Sequence, residues 1–274
     1  EVVEIAKTFV DLGVKKIRLT GGEPLIRKDV DSIILELSKL PVELAITTNA
    51  VRVHEFIDVF KRAGMKSINV SLDTLQSGRF EKITRRNQFD QVMSNIQLLI
   101  AEGFTVKVNA VLMKGQNEDE ITDFIDWTKI APVDVRFIEF MPFDGNRWEW
   151  DKKISFNEIL EVIAEKYGKE AVQALAAHPN DTARNFKLNG AKGSFGIIST
   201  VTNPFCDSCN RIRLTADGKI KNCLFSNDES DLLTAMRNGL PIEPLIRTAI
   251  SRKKHAKAGI EDFSSYEGHS NRAM

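Results

Sequence analysis

The fold is decided by a unit that recurs along the chain and first reads Gly13-Val14-Lys15-Lys16-Ile17-Arg18-Leu19-Thr20-Gly21-Gly22-Glu23-Pro24. An amphipathic segment precedes it and predicts a helix, with apolar residues three and four apart at Val2, Ile5, Ala6, Phe9 and Val10. Gly13 suits the left-handed position just past a helix end. The run that follows predicts a short strand, and the polar residues from Thr20 to Glu23 mark its carboxyl end.

The same order of helix, stop signal and strand recurs downstream. Gly64 and Gly103 each separate a helical pattern from a β-rich run, at 65–73 and 104–112. In the fourth unit Asn117 and Glu120 predict a capping box, and Pro132 ends the helix before a strand at 133–140. One more strand, Val42 to Thr48, follows a helix at 29–40. Strands alternating with helices predict a parallel β/α sheet or barrel.

Polar residues gather at one end of each predicted strand: Thr20 to Glu23, Thr47 to Asn49, Ser71 with Asp73, Asn109, and Glu139 with Met141. In a β/α barrel, the carboxyl ends of the strands and the loops after them form the active face. Asn, Asp and Gly also begin ordinary turns. Five such groups in register favour a site.

The pattern changes past residue 150. Ser155 is expected to cap a helix through Tyr167, and 171–177 is predicted to be helical or a linker. The polar stretch 180–196 predicts a boundary, which divides the chain into residues 1–185 and a smaller C-terminal domain, residues 186–274.

All three cysteines of the chain, Cys206, Cys209 and Cys223, lie within this second part. A C-x₂-C pair with one further thiolate suits zinc or an iron–sulfur cluster. Zinc needs a fourth protein ligand, usually His, and every histidine is far away in sequence: His54, His178, His255 and His269. Three thiolates on a four-iron cluster would leave one iron free for an external ligand. The residues leave both alternatives open.

A predicted hairpin carries these cysteines. Residues 210–215 and 219–225 form its strands around Asp217-Gly218, which brings Cys223 near Cys209. Arg211 and Arg213 are two apart on one strand, so they are expected on one face. Guanidinium groups beside a cluster suit a phosphate-bearing ligand, and a solvated strand is the alternative.

Composition narrows the functional classes. The 274 residues contain 38 Lys and Arg against 38 Asp and Glu, which gives no sign of a nucleic-acid or membrane partner. No apolar run approaches the roughly 18–20 residues of a spanning helix. Clustered cysteines predict a reducing compartment, here the cytoplasm. The chain begins at Glu1 inside a helical pattern, which is typical of a fragment.

The motifs together resemble a known family. Gly21-Gly22-Glu23-Pro24 after a strand resembles the corresponding motif of radical S-adenosylmethionine enzymes. The resemblance narrows to the GTP 3′,8-cyclase family of molybdenum cofactor biosynthesis when the remaining motifs are added: Thr47-Thr48-Asn49, Val70-Ser71-Leu72-Asp73, Lys107-Val108-Asn109, residues 137–142, residues 205–218 and Cys223-Leu224-Phe225. It runs from residue 1 to the final Asn271-Arg272-Ala273-Met274.

The resemblance implies a fold and a reaction. The fold would be α/β, an incomplete (β/α) TIM-type barrel lacking its first βα unit, with a smaller C-terminal domain carrying an auxiliary 4Fe–4S cluster. The enzyme would be a lyase that cleaves S-adenosylmethionine to a 5′-deoxyadenosyl radical at a first cluster. It would convert GTP to (8S)-3′,8-cyclo-7,8-dihydroguanosine 5′-triphosphate, with guanine on the auxiliary cluster.

The resemblance also implies site residues and partners. Gly22, Ser71 and Met141 would bind S-adenosylmethionine, and Cys206, Cys209 and Cys223 would bind the cluster. GTP would contact six residues: Arg18, Thr47, Lys107, Arg136, Arg211 and Arg213. For Thr47 the register is ambiguous by one, because two threonines are adjacent. The implied partners are a flavodoxin or ferredoxin as electron donor, a downstream cyclic pyranopterin monophosphate synthase, and a second copy of the chain in a homodimer.

Two departures from the family pattern set the alternative. The three cysteines of the first cluster and the Gly-Gly tail would lie upstream of Glu1 and beyond Met274, so this chain by itself is expected to be inactive. The alternative interpretation is a non-catalytic metal- or nucleotide-binding relative.

Overall fold

The computed structural model describes residues 1–142 and 148–260, so the resemblance at 271–274 and His269 lie outside the described residues. The α-helices are α1 (Val2–Asp11), α2 (Val30–Leu37), α3 (Ile57–Arg62), α4 (Ser77–Thr84), α5 (Phe89–Ala101), α6 (Ile121–Ile130), α7 (Phe156–Tyr167), α8 (Leu232–Arg237) and α9 (Glu243–Ser251). The strands are β1 (Lys16–Leu19), β2 (Glu43–Thr48), β3 (Ser67–Ser71), β4 (Thr105–Leu112), β5 (Val133–Glu139), β6 (Val172–Ala174), β7 (Arg184–Leu188), β8 (Ser194–Ile198), β9 (Arg213–Leu214), β10 (Lys219–Lys221) and β11 (Glu229–Asp231).

Eight strands form one sheet in the order β1-β2-β3-β4-β5-β8-β7-β6. β1 to β5 and β8 are parallel, and β7 and β6 complete the sheet antiparallel. A three-stranded antiparallel sheet, β11-β10-β9, follows. The prediction of an α/β fold with a parallel sheet is confirmed, and the carboxyl ends of six strands meet at one edge.

The two faces of the large sheet differ in chemistry. Val70, Val106, Val108, Val135 and Phe137 are all 0% exposed and belong to the main core, which helices α2, α3, α5, α6 and α7 complete. Burying such a side chain stabilises the fold by about 1.5–3 kcal/mol. Because side chains alternate along a strand, the intervening residues of β3, β4 and β5 face the other way, and most of them are polar.

Helix boundaries follow the sequence signals in part. At α7 the capping box is confirmed: Glu158 N donates to Ser155 Oγ at 3.3 Å, and Ser155 N donates to the Glu158 carboxylate at 2.8 Å. Gly13, Gly64 and Gly103 have positive φ after α1, α3 and α5, as the repeat predicts.

The capping box predicted at Asn117 and Glu120 is wrong. Glu120 is fully buried, and its carboxylate accepts hydrogen bonds from Thr74 Oγ1 and Leu75 N, both at 2.6 Å, and from Arg79. A buried carboxylate needs such partners, which a helix terminus at the surface would not supply. Asn117 instead donates to the carbonyl oxygens of Asp73 and Val111, so both residues anchor the loop after β3.

The predictions for 171–196 also need correction. Residues 172–174 form strand β6, not a helix or linker, and the polar stretch contains β7 and the start of β8. β8 joins the sheet because Gly196 allows close approach: a Cβ there would lie 2.6 Å from Asn185 Oδ1. The division at residue 185 stays a prediction, and the large sheet continues past it to Ile198.

The C-terminal helices pack on the first helix of the chain. Ile5 and Phe9 of α1 share a second core with Ile220, Leu232 and Ile246, while Ala6 on the same helix belongs to the main core. Arg237 Nε also donates to Glu1 Oε1 at 2.6 Å. Helix α1 therefore connects the two cores.

Within the described ranges, no helix is both long and apolar enough to cross a membrane.

Candidate functional site

Strand register aligns polar side chains across the face of the large sheet that is opposite the main core. Thr47 pairs with Asn69, Asn69 with Lys107, and Lys107 with Asp134. One step toward the carboxyl edge, Ser71 pairs with Asn109 and Asn109 with Arg136. Paired residues of parallel strands share a face, so these side chains form two rows on one face of the sheet.

Cations on this face repel one another. Burial lowers the pKa of Arg18, and the charges of Arg136 and Arg211 lower it further. Burial likewise lowers the pKa of Lys107, with repulsion from Arg136 added, although Asp134 opposes it. Burial also lowers the pKa of Arg136, against Asp134 and Asp181. Lys107 and Arg136 are half-buried, while Arg18 is more exposed to solvent. Cations that lower each other's pKa form a site whose electrostatics favour a multiply charged anion.

Arg211 reaches this group from the C-terminal part. Its Nη2 donates to the carbonyl oxygen of Asn180 at 2.8 Å, and its guanidinium lies 5.6 Å from the ring centroid of Phe205. Its Nη1 is buried without a hydrogen-bond partner. One half of the guanidinium is thus held by the protein while the other half remains free to donate.

Arg213 lies closer to the cysteines. Burial lowers its pKa, and the Cys223 and Cys209 sulfurs oppose that shift. Arg211 and Arg213 were expected on one face because both were predicted to lie on one strand. That premise is wrong, because β9 begins only at Arg213. The hairpin itself is confirmed but shorter than predicted, and Cys223 lies beyond the end of β10.

Three further buried oxygens in this region lack a hydrogen-bond partner: Asn69 Oδ1, Asn109 Oδ1 and Glu139 Oε1. Leaving a buried acceptor unpaired costs about 1–3 kcal/mol, and native proteins keep few of them. Asn69 and Asn109 stand in the two polar rows described above. Their free oxygens are therefore candidates for contact with a bound molecule.

The two adjacent threonines of β2 have different surroundings. Arg18 Nη1 lies 3.5 Å from Thr47 Oγ1, and Thr47 pairs with Asn69 in the polar row. Thr48 is buried and donates to Glu23 Oε1 at 2.7 Å, while Asn49 N donates to Glu23 Oε2 at 2.6 Å. Of the pair, Thr47 lies with the cations. Glu23 holds the ends of β1 and β2 together.

Three residues predicted for the cofactor lie at the carboxyl edge. Gly22 has a positive φ of 47°, and nothing stands within 4 Å of where its Cβ would be. Ser71 ends β3 and is exposed. Met141 follows β5 and packs against the small apolar cluster of Val201 and Phe225, which Cys223 also contacts.

Other strand-end polar residues have roles in loops. Asp73 Oδ1 accepts from Val111 N at 2.8 Å, and burial raises the pKa of Asp73. Glu139 Oε2 accepts from Val201 N and Thr202 N at 2.7 and 3.1 Å. Most hydrogen bonds of the Glu23, Asp73 and Glu139 carboxylates therefore hold loops and strand ends in place. This is the role expected if strand-end polar residues simply begin ordinary turns.

The three cysteines are half-buried free thiols with N–H donors at two of the sulfurs. Lys253 Nζ lies 3.4 Å from Cys209 Sγ, and Lys257 N lies 3.4 Å from Cys206 Sγ. Burial opposes ionisation of Cys209, but the backbone of Arg211 and the charge of Lys253 outweigh it and lower its pKa. Within the described residues, no three His, Cys, Asp or Glu side chains are gathered so as to hold a single metal ion.

Some residues at the site were not predicted from the sequence: Asn69, Asn180, Asp181 and Lys253. Asn69 could have been found, since it shares its face with Ser71 two positions later. Asn180 contributes a backbone carbonyl, and Lys253 is one cation among many in a basic stretch, so neither carries a sequence signal.

Two protein-family models match the chain: the Radical SAM superfamily over residues 1–128, and Molybdenum Cofactor Synthesis C over residues 133–258. The chain is 46% identical over 266 residues to molybdenum cofactor biosynthesis protein 1 of Drosophila melanogaster, covering 94% of this chain and 47% of that protein. It is 44% identical over 270 residues to the mitochondrial GTP 3′,8-cyclase of Arabidopsis thaliana, covering 96% and 69%. It is 40% identical over 259 residues to GTP 3′,8-cyclase of Listeria welshimeri, covering 92% and 77%. The chain thus spans about half the length of the fly relative and more of the other two.

Among solved structures, the chain resembles Streptococcus suis SuiB, with a TM-score of 0.58 at 16% identity over 84% of this chain and 55% of SuiB. SuiB bound to S-adenosylmethionine gives a TM-score of 0.57 at 17% identity over 90% and 60%. At this identity the likeness concerns the fold alone.

Proposed function

The chain belongs to the GTP 3′,8-cyclase family of the radical S-adenosylmethionine superfamily, and from that premise we propose that this protein cyclises GTP in the first step of molybdenum cofactor biosynthesis. The family resemblance stated from the motifs is confirmed. The superfamily implies an iron–sulfur cluster and S-adenosylmethionine as cofactors.

The observation that carries the proposal is the group of cations formed by Arg18, Lys107, Arg136 and Arg211. They come from β1, β4, β5 and the loop before β9, yet their charges act on one another. A triphosphate relieves this repulsion, and guanidinium groups bind phosphate oxygens in pairs. The free Arg211 Nη1 supplies one donor that the protein itself leaves unused.

S-adenosylmethionine is proposed to bind at the carboxyl edge, along Gly22, Ser71 and Met141. The open space before Gly22 supports this, because a backbone without Cβ lets a ligand approach closely. Placing the cofactor at the edge and the triphosphate deeper on the cations would bring the reacting groups together and exclude water from them.

The cysteine group fits an iron–sulfur cluster in its chemistry. It offers three half-buried thiols, with N–H donors at the sulfurs of Cys209 and Cys206, and cysteine thiolates are the ligands that iron–sulfur clusters take. Cys206, Cys209 and Cys223 would hold the cluster, with Arg213 beside them. When bound, a cluster with three protein ligands supplies one open iron as a Lewis acid for the base of the substrate.

The remaining assignments extend the same proposal. A flavodoxin or ferredoxin would deliver electrons, a cyclic pyranopterin monophosphate synthase would take the product, and the protein would form a homodimer. The cytoplasm suits free cysteines of this kind. The Arabidopsis relative is named as mitochondrial.

The test uses the protein as its gene encodes it, reconstituted anaerobically with iron and sulfide and reduced with dithionite. We expect 5′-deoxyadenosine to form only when GTP is present, with the cyclised triphosphate detected by mass spectrometry. Cofactor cleavage that ignores GTP would indicate a different substrate. A protein that binds zinc stoichiometrically and takes up no iron would be the non-catalytic relative.

The cysteine assignment is tested separately with Cys209→Ala, which should lower the iron content by about four atoms per chain. Ser208→Ala is the matched control, since the Ser208 hydroxyl contacts only the Phe205 carbonyl, at 3.4 Å. Full iron content in Cys209→Ala would remove this cysteine from the ligand set.

A further inference from the structure

Residues 253–257 form a short strap along the cysteine segment. Lys253 follows the end of α9, and its Nζ donates to the carbonyl oxygens of Cys209 and Arg211, both at 3.0 Å. The same ammonium lies 3.4 Å from Cys209 Sγ. Further along, Lys257 N reaches Cys206 Sγ, and His255 Nε2 lies 3.4 Å from an Asp207 carboxylate oxygen.

The three contacts of Lys253 are specific to one turn of the backbone. The carbonyls of Cys209 and Arg211 flank Asn210, so one ammonium fixes the direction in which the chain leaves the cysteine and enters β9. An ammonium has three N–H donors, and here all three have acceptors. Lys253 is half-buried, whereas the adjacent Lys254 is exposed and contacts no cysteine.

From this geometry we infer that Lys253 is a positioning residue of the proposed site: it fixes the Cys209–Arg211 turn, which orients Arg211 toward the anion, and it places a positive charge beside the Cys209 sulfur. The inference rests on the proposed function. Hydrogen bonds to ligand sulfurs and nearby charge are among the factors that set the reduction potential of a cluster. A cation at this distance stabilises the reduced state, which carries one more negative charge.

The test compares Lys253→Met with Lys254→Met in the protein as its gene encodes it. Both substitutions remove one positive charge from the same end of α9, but only the first removes the contacts with the cysteine segment. The measurements are the iron content, the reduction potential of the auxiliary cluster from a redox titration followed by electron paramagnetic resonance, and the affinity for GTP from calorimetry.

In Lys253→Met we expect the cluster to be retained but about tenfold harder to reduce, which for a one-electron couple is about 59 mV more negative. GTP should bind about tenfold more weakly, because Arg211 loses its fixed orientation. Lys254→Met should match the wild type in both. Lys253→Arg should recover part of the potential through its charge and less of the GTP affinity, because a planar fork cannot reproduce three divergent donors.

An unchanged potential and an unchanged GTP affinity in Lys253→Met, even with a lower thermal midpoint, would reduce Lys253 to a purely structural contact. If that variant does not fold, Lys253→Gln carries the same test, since it removes the charge and keeps one donor group. A wild-type protein that takes up no cluster would overturn the proposed function and this inference together. A wild-type cluster with no response to Lys253 would overturn this inference alone.

Discussion

The cations of the candidate site come from two kinds of structure. Arg18, Lys107 and Arg136 stand on strands of one parallel sheet, where continuous ladders fix their height and direction. Arg211 stands in a loop. The direction of its side chain depends on the Asn180 carbonyl and the Phe205 ring, and Lys253 holds the backbone by donating to the carbonyl oxygen of Arg211.

Strand cations and loop cations should respond differently to substitutions in their surroundings. A strand side chain keeps its direction as long as the ladder is intact, so a substitution beside it changes little. A loop side chain is positioned by a few individual contacts. The loss of any one of them should therefore change its direction and lower the affinity for the ligand. The strand cations should therefore respond only to their own replacement, while Arg211 should respond to its neighbours as well.

The largest expected effect is on the loop side of this comparison. Arg211→Ala should weaken GTP binding about ten- to a hundredfold, because a charge-assisted hydrogen bond contributes roughly 1.5–3 kcal/mol. Arg213 is the first residue of β9 rather than a loop residue, and Arg213→Ala is expected to weaken GTP binding by a similar factor. Arg211→Lys should recover only part, since a point charge lacks the bidentate fork. Calorimetry of GTP binding to the reconstituted protein measures this, with exposed Arg247→Ala as the control.

A neighbour of Arg211 sharpens the test. Asn180 has a positive φ of 69°, which a β-branched residue tolerates poorly. Asn180→Val should move the carbonyl that holds Arg211 and weaken GTP binding by several-fold, while Asn180→Gly, which accepts the same φ, should not. If the valine variant binds GTP as the wild type does, the loop cation is held as firmly as the strand cations and the comparison fails.

The next effect is a pH dependence on the strand side. Because the pKa of Lys107 is lowered in the free protein and a bound triphosphate raises it again, GTP binding should take up protons as the pH rises through the lowered pKa. Affinity should therefore fall with increasing pH through this range. Lys107→Arg should remove this dependence, because arginine stays charged.

The contribution of Lys107 to the free energy of unfolding should change with pH in the opposite direction to the GTP affinity. The unfolded chain holds the Lys107 proton up to the ordinary lysine pKa, so between the lowered pKa and that value it binds more protons than the folded state. Lys107 therefore contributes a free energy of unfolding that rises with pH through this window. Denaturant unfolding of the ligand-free protein across that range, with Lys107→Arg as reference, measures it; a falling difference between the two would contradict the lowered pKa.

The smallest effect separates two adjacent strand residues. Thr47→Val should weaken GTP binding only a few-fold, since one neutral hydrogen bond contributes about 0.5–1.5 kcal/mol. Thr48→Val should leave GTP affinity nearly unchanged and lower the free energy of unfolding by about 1–3 kcal/mol, because Glu23 loses a donor. Reversed results would move the binding residue to Thr48.

The sequence allowed more to be predicted on the strand side than on the loop side, for a physical reason. Alternation along a strand determines which residues of that strand share a face, and the family resemblance supplied the grouping of Arg18, Lys107 and Arg136 across strands. Glu120 could not be placed this way, because the capping-box pattern at the surface and the buried ion pair with Arg79 use the same residue type. The contact of Lys253 with Cys209 spans 44 positions, and nothing local in the sequence encodes it.

The region 171–198 shows the same limit. Its polar composition is typical of a linker, yet β7 pairs with β8 through backbone groups that any residue carries, and stacking of Phe186 on Phe195 supplies the apolar contact. Short strands at the antiparallel end of a sheet need few apolar residues. Their composition therefore gives little signal.

Helix α1 has a consequence for how the chain is made. Its partners in the second core lie on α8 and α9, and Arg237 is 236 positions from Glu1. At about 5–20 residues per second, a ribosome needs on the order of 10–50 s to synthesise that interval. During this interval Ile5 and Phe9 lack their packing partners on α8 and α9. The nascent chain therefore exposes a hydrophobic surface of the kind that chaperones bind. Helices α8 and α9 complete the packing of α1 once they have been synthesised.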